Sequence, residues 1–465
     1  MSNKAACPAA SRADLFHSRE SLLTRRQLLS LIAKGALAYP FTASGLAAQL
    51  TTQHAQYPAM PPDEQLNQDE LLEEMVSRAF QFFWEHAGPH TGLVLDRALA
   101  DGSPDPRRVS SIAATGYGLA ALCIGHKRGY LPPHQIGGRV VATLSFLVNH
   151  AEHVNGFFYH FLDFETGKRA RLSEISPIDT TILLCGVLMA REYFDNARIT
   201  ALANIIYRRI NWRWMLNGGD TFALSWTPEY KFTGARWDVY CELMMMYLLA
   251  IGAPVYNISP SSWNDFSRPT MEFEGYTYIS AADPLFVHQY SHAWFDFRNL
   301  RDQYANYFQN SAIATYAHKL FCESIRWRFP DYNDVTWGIT ASDSRLGYQA
   351  WGGPPEIGRI DGTVVPCATA GSMPFLPKET IAVLSNLYNS YGQRAWKQYG
   401  FVDAFDPRTS WTDVDVLGID QGISMLMIEN YRTGFIWEHF MKGREAQRAM
   451  KLVGFNPIAQ AAAAT

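Results

Sequence analysis

The chain is poor in the features that mark most specialised protein classes. It has six cysteines in 465 residues. Cys7 lies ahead of a targeting pattern, which leaves Cys123, Cys185, Cys241, Cys322 and Cys367, an odd set without CxxC or metal-type spacing. A disulfide framework is disfavoured, and buried free thiols are expected. Charge is scarce too: 18% of residues are charged, the formal net charge is −4, and no Lys/Arg stripe runs along any segment. Nucleic acid is therefore not an expected partner. The histidines are scattered with no HExxH-like pair, so no metal is expected. No glycine loop at a strand–helix junction offers to cradle phosphates, and no cofactor is expected.

The amino terminus carries an address. Thr24-Arg25-Arg26-Gln27-Leu28-Leu29 is a twin-arginine pattern, and Leu31 to Leu46 is apolar but broken by Gly35, Pro40 and Gly45. Ala43, Ser44, Ala47 and Ala48 supply the small residues of a cleavage site. The run is shorter than the roughly 20 residues of a spanning helix. Residues 1–48 thus read as an export signal, with an uncleaved anchor as the alternative, and the mature protein is expected in the periplasm or outside the cell without stable membrane insertion. Residues 49–68 read as a Pro/Gln-rich linker, 69–456 as one domain, and 457–465 as an Ala-rich tail.

What the chain has in quantity is aromatic residues, 14% of the total, and helical periodicity. Apolar residues recur at helical spacing over Leu71–His86, Ser110–Lys127, Gly138–His153, Ser176–Tyr193, Arg198–Met215, Trp237–Ile251, Asn306–Arg328, Lys378–Tyr391 and Gln421–Phe440. Met271–Ile279 alternates as a short hairpin strand would. The class is all-α, with long aromatic-rich loops between helices; paired helices in a ring and an irregular bundle both fit the count.

The connections carry the polar residues. Ser173-Glu174-Ile175-Ser176-Pro177-Ile178-Asp179-Thr180 enters one apolar helix, and Trp237-Asp238-Val239-Tyr240-Cys241-Glu242-Leu243 enters another. Further along stand His288-Gln289-Tyr290-Ser291-His292-Ala293-Trp294-Phe295-Asp296-Phe297-Arg298, Trp337-Gly338-Ile339-Thr340-Ala341-Ser342-Asp343, and Gly347-Tyr348. Last come Gly400-Phe401-Val402-Asp403-Ala404-Phe405, Gly418-Ile419-Asp420-Gln421-Gly422 and Ile428-Glu429-Asn430-Tyr431-Arg432-Thr433-Gly434. Together, from about Leu71 to Phe455, these motifs resemble the glycoamylase-like family, related to bacterial endo-β-1,2-glucanases and to the middle domain of cyclic β-1,2-glucan synthases. The resemblance implies an (α/α)6 toroid and glycoside hydrolysis, with an oligo- or polysaccharide, most naturally a β-1,2-glucan, as partner.

Glycoside cleavage needs one carboxylic acid to protonate the leaving oxygen and a second carboxylate as base or nucleophile. Glu242, at the head of an apolar helix and beside Trp237 and Tyr240, is the candidate acid, a reading the glucanase resemblance strengthens; a helix-start Glu favoured by the macrodipole is the alternative. Asp420 is the candidate base, against an N-cap reading. Glu174 is the reserve catalytic carboxylate, and Asp179 is assigned to sugar hydroxyls or to the helix dipole. Tyr240, Gln289, His292, Trp294, Asp296, Trp337, Asp343, Tyr348 and Trp351 are candidate substrate contacts, through stacking and bidentate hydrogen bonds. Asp296 with Arg298 also fits a structural ion pair, Trp351 also fits a packed turn, and Asn430 and Arg432 fit anchors of the last helix. A glucan transglycosylase, a non-catalytic carbohydrate-binding protein on the same fold, and a lyase or terpene-type cyclase are the competing functions.

Overall fold

The computed structural model describes residues 66–458. The twin-arginine signal, nearly all of the linker and most of the Ala-rich tail lie outside the described residues. Fourteen α-helices run through the described residues, with two- to four-residue strands between them.

Their sequences sort into two kinds. Helix α1 (Gln68–Glu85), α3 (Pro133–Asn149), α5 (Ala197–Arg209), α9 (Tyr307–Ser324) and α11 (Pro377–Ala395) each keep one buried stripe and one wet face; in α3 the stripe is Ile136, Val140, Leu144 and Leu147. Helix α2 (Ile112–Arg128), α4 (Pro177–Tyr193) and α7 (Met244–Gly252) are apolar almost all round; every residue of α7 is buried. A helix with no polar face must be surrounded, so these form the inner wall. Two five-residue helices, α8 (Tyr290–Trp294) and α10 (Pro366–Ala370), and the longer α12 (Gly418–Thr433) complete it.

Around the ring α2 packs on α4, α4 on α7, α7 on α8, α8 on α12, and α12 on both α10 and α2. Outside it, α1 covers α2 and α12, α3 packs against α5, α5 covers α4, α11 covers α10, and α14 (Arg444–Leu452) covers α7. The architecture is the all-α toroid of paired helices, an (α/α)6 barrel. Among the described residues no helix is long and apolar enough to cross a membrane.

The tightest seam is between α2 and α4. A Cβ on Gly186 would lie 2.0 Å from the Gly116 carbonyl oxygen, and one on Gly116 would lie 2.4 Å from the Ile182 carbonyl oxygen. Glycine at both positions lets the two backbones touch.

Three periodic segments are shorter or more broken than the pattern suggests. Arg198–Met215 splits at Ile210, and Asn211 caps a separate helix α6 (Trp212–Leu216) with its side chain. Trp237–Ile251 is helical only from Met244, because Arg236–Trp237 pairs as a strand with Phe222–Ala223. Gln421–Phe440 breaks at Gly434, whose φ of 69° ends α12 before α13 (Phe435–Phe440). Met271–Ile279 forms a complete hairpin, Thr270–Phe273 against Tyr276–Ile279. All five cysteines of the described residues are free and buried.

Candidate active site

The inner helices begin at the same end of the ring, and the loops that feed them bring carboxylates there. Asp179 lies in the first turn of α4 and Asp420 in the first turn of α12; Glu242 sits in the turn just before α7. The common meeting point is Tyr117, in the second turn of α2. Burial, and then the charges of Cys185, Asp420, Glu242 and Asp179, hold its phenol well above the usual range. Glu242 and Asp420, 178 positions apart in the chain (420 − 242), therefore act on one hydroxyl.

Glu242 and Asp420 are 4% and 6% exposed. The backbone carbonyl of Glu242 accepts a bond from Ser291 Oγ (2.8 Å), which ties the α7 entrance to α8. Asp420 is not a helix cap: the N-cap of α12 is Leu417, and no side chain caps it. Burial raises Asp420 to about 6, against hydrogen bonds from Asp403 and Cys367 that lower it. Such a group is ionised above that pH and neutral below it, the range a general base needs.

On one side of Tyr117 lies a nest held by histidine. His160 Nδ1 bonds Glu174 Oε1 at 3.0 Å, and its Nε2 is 3.8 Å from Asp179 Oδ2. Burial opposes a charged ring, but Asp179 and Glu174 outweigh it and lift His160 to about 9. In turn, burial pushes Glu174 up, yet the His160 charge and hydrogen bond hold it below the usual carboxylate range. This is the wrong direction for a proton donor, though not for a base, whereas burial and the charges of Glu174 and Glu242 raise Asp179.

On the other side is a nest of aspartates. Oxygen atoms of Asp343, Asp403 and Asp413 all lie within 4.8 Å of one another. Arg97 Nη1 donates to Asp343 Oδ2 (2.6 Å) and lies 3.6 Å from Asp415, which Arg107 also holds at 2.6 Å. Burial lifts Asp413 to about 7, with the neighbouring Asp343 and Asp415 charges adding to it. Arg97 already stands at Asp343, which disfavours a bound cation there. Tyr348 faces this nest, since the charges of Asp420, Asp403 and Asp343 add to burial in raising its phenol.

The remaining aromatic and polar candidates sit elsewhere. Gln289 is fully buried; its Nε2 donates to Ala368 O (2.9 Å) and Ser372 Oγ (2.8 Å). His292 is buried too, with Nε2 on Ser311 Oγ at 3.0 Å, and burial depresses it to about 3. Trp294 stacks on Tyr117 from within the core, and Tyr240 stacks on Tyr307 with its hydroxyl at His288. Trp337 packs by His318, and Trp351 is 1% exposed with its Nε1 on Ser342 Oγ (3.1 Å). Asp296 pairs with Arg298 (2.8 Å) beyond the C-terminal end of α8, away from the cleft. Direct sugar contact by these seven is not supported: density of polar and aromatic residues there builds the polar core beneath the site. Asn430 Nδ2 bonds Ala293 O and Arg432 bonds Glu73, the anchoring role expected of them.

Sequence reasoning missed His160, Tyr117, Asp403, Asp413 and Arg97. Asp403 stood within a quoted motif, but its partner is 17 positions away (420 − 403).

The middle of this ring, from before α7 to the start of α14, matches a known family. Residues 234–444 fit the Glycoamylase family model, described as "Putative glucoamylase". Over these residues the chain is similar to the glycoamylase-like family. It is 29% identical over 430 residues to the exo-β-1,2-glucooligosaccharide sophorohydrolase (non-reducing end) of Parabacteroides distasonis, covering 83% of this chain. The chain spans about 58% of the length of that relative. Among solved structures, the endo-β-1,2-glucanase from Chitinophaga pinensis, in complex with sophorotriose and glucose, superposes with a TM-score of 0.78 at 28% identity, over 84% of this chain and 99% of that one. A β-1,2-glucanase from Parabacteroides distasonis gives 0.77 at 26% identity, over 84% of this chain and 60% of that one.

Proposed function

We propose that this chain is a glycoside hydrolase that cleaves β-1,2-linked glucan, with Glu242 as proton donor and Asp420 as base. The observation that carries it is that Asp179, Glu242 and Asp420 stand at the entrances of three inner helices, close enough for their charges to act on the buried Tyr117 between them. The similarity to β-1,2-glucan-cleaving proteins supports the linkage. In the reaction Glu242 passes its proton to the glycosidic oxygen as the bond to the anomeric carbon breaks. Asp420 takes a proton from the attacking water, and the new hydroxyl completes the reducing end. Glu242 recovers a proton from solvent and Asp420 returns one, so the cycle is neutral.

A panel of linkage-defined glucans, given to wild type and Glu242→Gln side by side, tests this. Release of reducing ends from β-1,2-glucan by wild type alone is the expected result. Binding without release in both proteins would make the chain a carbohydrate-binding protein, and products longer than the substrate would make it a transglycosylase.

The pattern Thr24–Leu29 supports a companion proposal, export in the folded state to the periplasm or beyond. Cell fractionation of wild type against a double Arg25→Lys, Arg26→Lys variant checks it; equal distribution of the two would overturn it.

A further inference from the structure

Asp420 works as a base only while it is ionised, yet it is buried beside three other aspartates. Something has to keep its negative charge tolerable and its carboxylate in one orientation. No cation does so directly. Arg97 is engaged by Asp343, Asp96 and Asp415, and Arg107 by Asp105 and Asp415.

The contacts that do reach Asp420 come from neutral groups. Asp403 and the Cys367 thiol are the neutral neighbours that act on the Asp420 carboxyl at close range. An ionised carboxylate only accepts, so a bond between two carboxyls requires a proton on one of them. Asp403 Oδ2 accepts the backbone N–H of Asp343 at 2.7 Å. Asp403 Oδ1 and Asp420 Oδ2 are both fully buried, and no N–H or hydroxyl donor meets either atom. Asp403 and Asp420 also line the same small cavity, about 20 Å³, with Cys367, Tyr399 and Gln421.

We propose that Asp403 is a positioning residue: it keeps its proton at neutral pH and donates it as a hydrogen bond to Asp420, holding that carboxylate ionised and in a fixed orientation. The proposal rests on the reading of Asp420 as the catalytic base. Its chemistry is consistent with the surroundings. Burial, then the charges of Asp420 and Asp343, push Asp403 well above the usual carboxylate range, while the bond it donates limits the rise of Asp420. The other groups facing Asp420 do not change the sign. Arg97 favours its charge, Asp343 opposes it, and Tyr117, Tyr290 and Tyr348 are phenols held neutral by burial.

The test is the pH profile of kcat for wild type, Asp403→Asn and Asp403→Ala. An asparagine amide still donates, so Asp403→Asn should keep the acid limb within about half a pH unit of wild type. Asp403→Ala removes the donor, and its acid limb should rise by about one unit or more, with kcat lost below it. If Asp403 were ionised instead, Asp403→Asn would delete a buried negative charge and the acid limb would fall by about a unit. That fall, or identical limbs in all three proteins, would overturn the proposal. Should Asp403→Ala fail to fold, the direction of the Asp403→Asn shift decides alone. Carbon-13 NMR of the aspartate carboxyls in unliganded wild type gives a second readout, independent of turnover. A signal assigned to Asp403 that stays protonated at neutral pH supports the proposal even if no glucan in the panel is cleaved, an outcome that would sink the hydrolase reading instead. Ordinary carboxylate titration of Asp403 overturns it.

Discussion

The two nests beside Tyr117 solve one problem in opposite ways. In the first, Glu174 and Asp179 are balanced by an imidazolium, and His160 is drawn up to about 9 to supply it. In the second, arginine takes the outer aspartates Asp343 and Asp415, and the inner carboxyls Asp403, Asp413 and Asp420 are raised toward their protonated forms. The residue type is nearly the same on both sides. The counterion decides which carboxyl holds charge and which holds a proton. A histidine can give its charge up as pH rises; an arginine cannot. The first nest is therefore sensitive to base and the second to acid.

The largest effect expected is on Glu242, whose charge acts on Tyr117 and Asp179. Glu242→Gln should lower turnover by about 10²–10⁴-fold while leaving the helical circular dichroism spectrum unchanged; normal turnover would remove it as the donor. Asp420→Asn should reduce activity by about 10²–10³-fold. In wild type the base must be ionised, so kcat should fall as pH drops through about 6, and a flat profile there would break the contrast between the nests.

Trp351→Ala tests how the aspartate nest is held. The indole bonds Ser342, next to Asp343, and is buried, so the substitution should cost about 3–5 kcal/mol in chemical denaturation with a smaller change in KM. A KM effect with unchanged stability would return Trp351 to the cleft.

The smallest effect expected is on the histidine nest. His160→Leu leaves Glu174 and Asp179 facing each other and should cost about 1–3 kcal/mol. The sign with pH follows from the raised His160: its contribution is complete below about 6.5, where the unfolded ring is also charged, and is lost as pH rises through about 9. Urea midpoints of wild type and variant should converge at alkaline pH; constant separation would show that His160 acts by packing alone.

Much of this ring was legible in the sequence because its two helix kinds obey different rules. The all-round apolar runs of α4 and α7 and the single stripe of α3 state where each helix must sit. The five-residue inner helices α8 and α10 were invisible, since neither is long enough to show a period. Within the site, Glu242 and Asp420 stood out because each polar residue adjoins a long apolar run. His160 did not, because its partner Glu174 is 14 positions away and the two meet only through a loop. The Gln289–Trp294 segment misled for a physical reason. Buried polar side chains must be satisfied, so a packed core needs the same amides, hydroxyls and rings as a sugar site.

The backbone contact at Gly116 and Gly186 has a practical meaning for anyone altering this protein. Tyr117 rides on one of those helices and Asp179 on the other, so the seam works as a ruler for the gap between them. A single methyl group at either glycine would pry the wall open at its narrowest course, and the first symptom to surface would be slack chemistry several residues away.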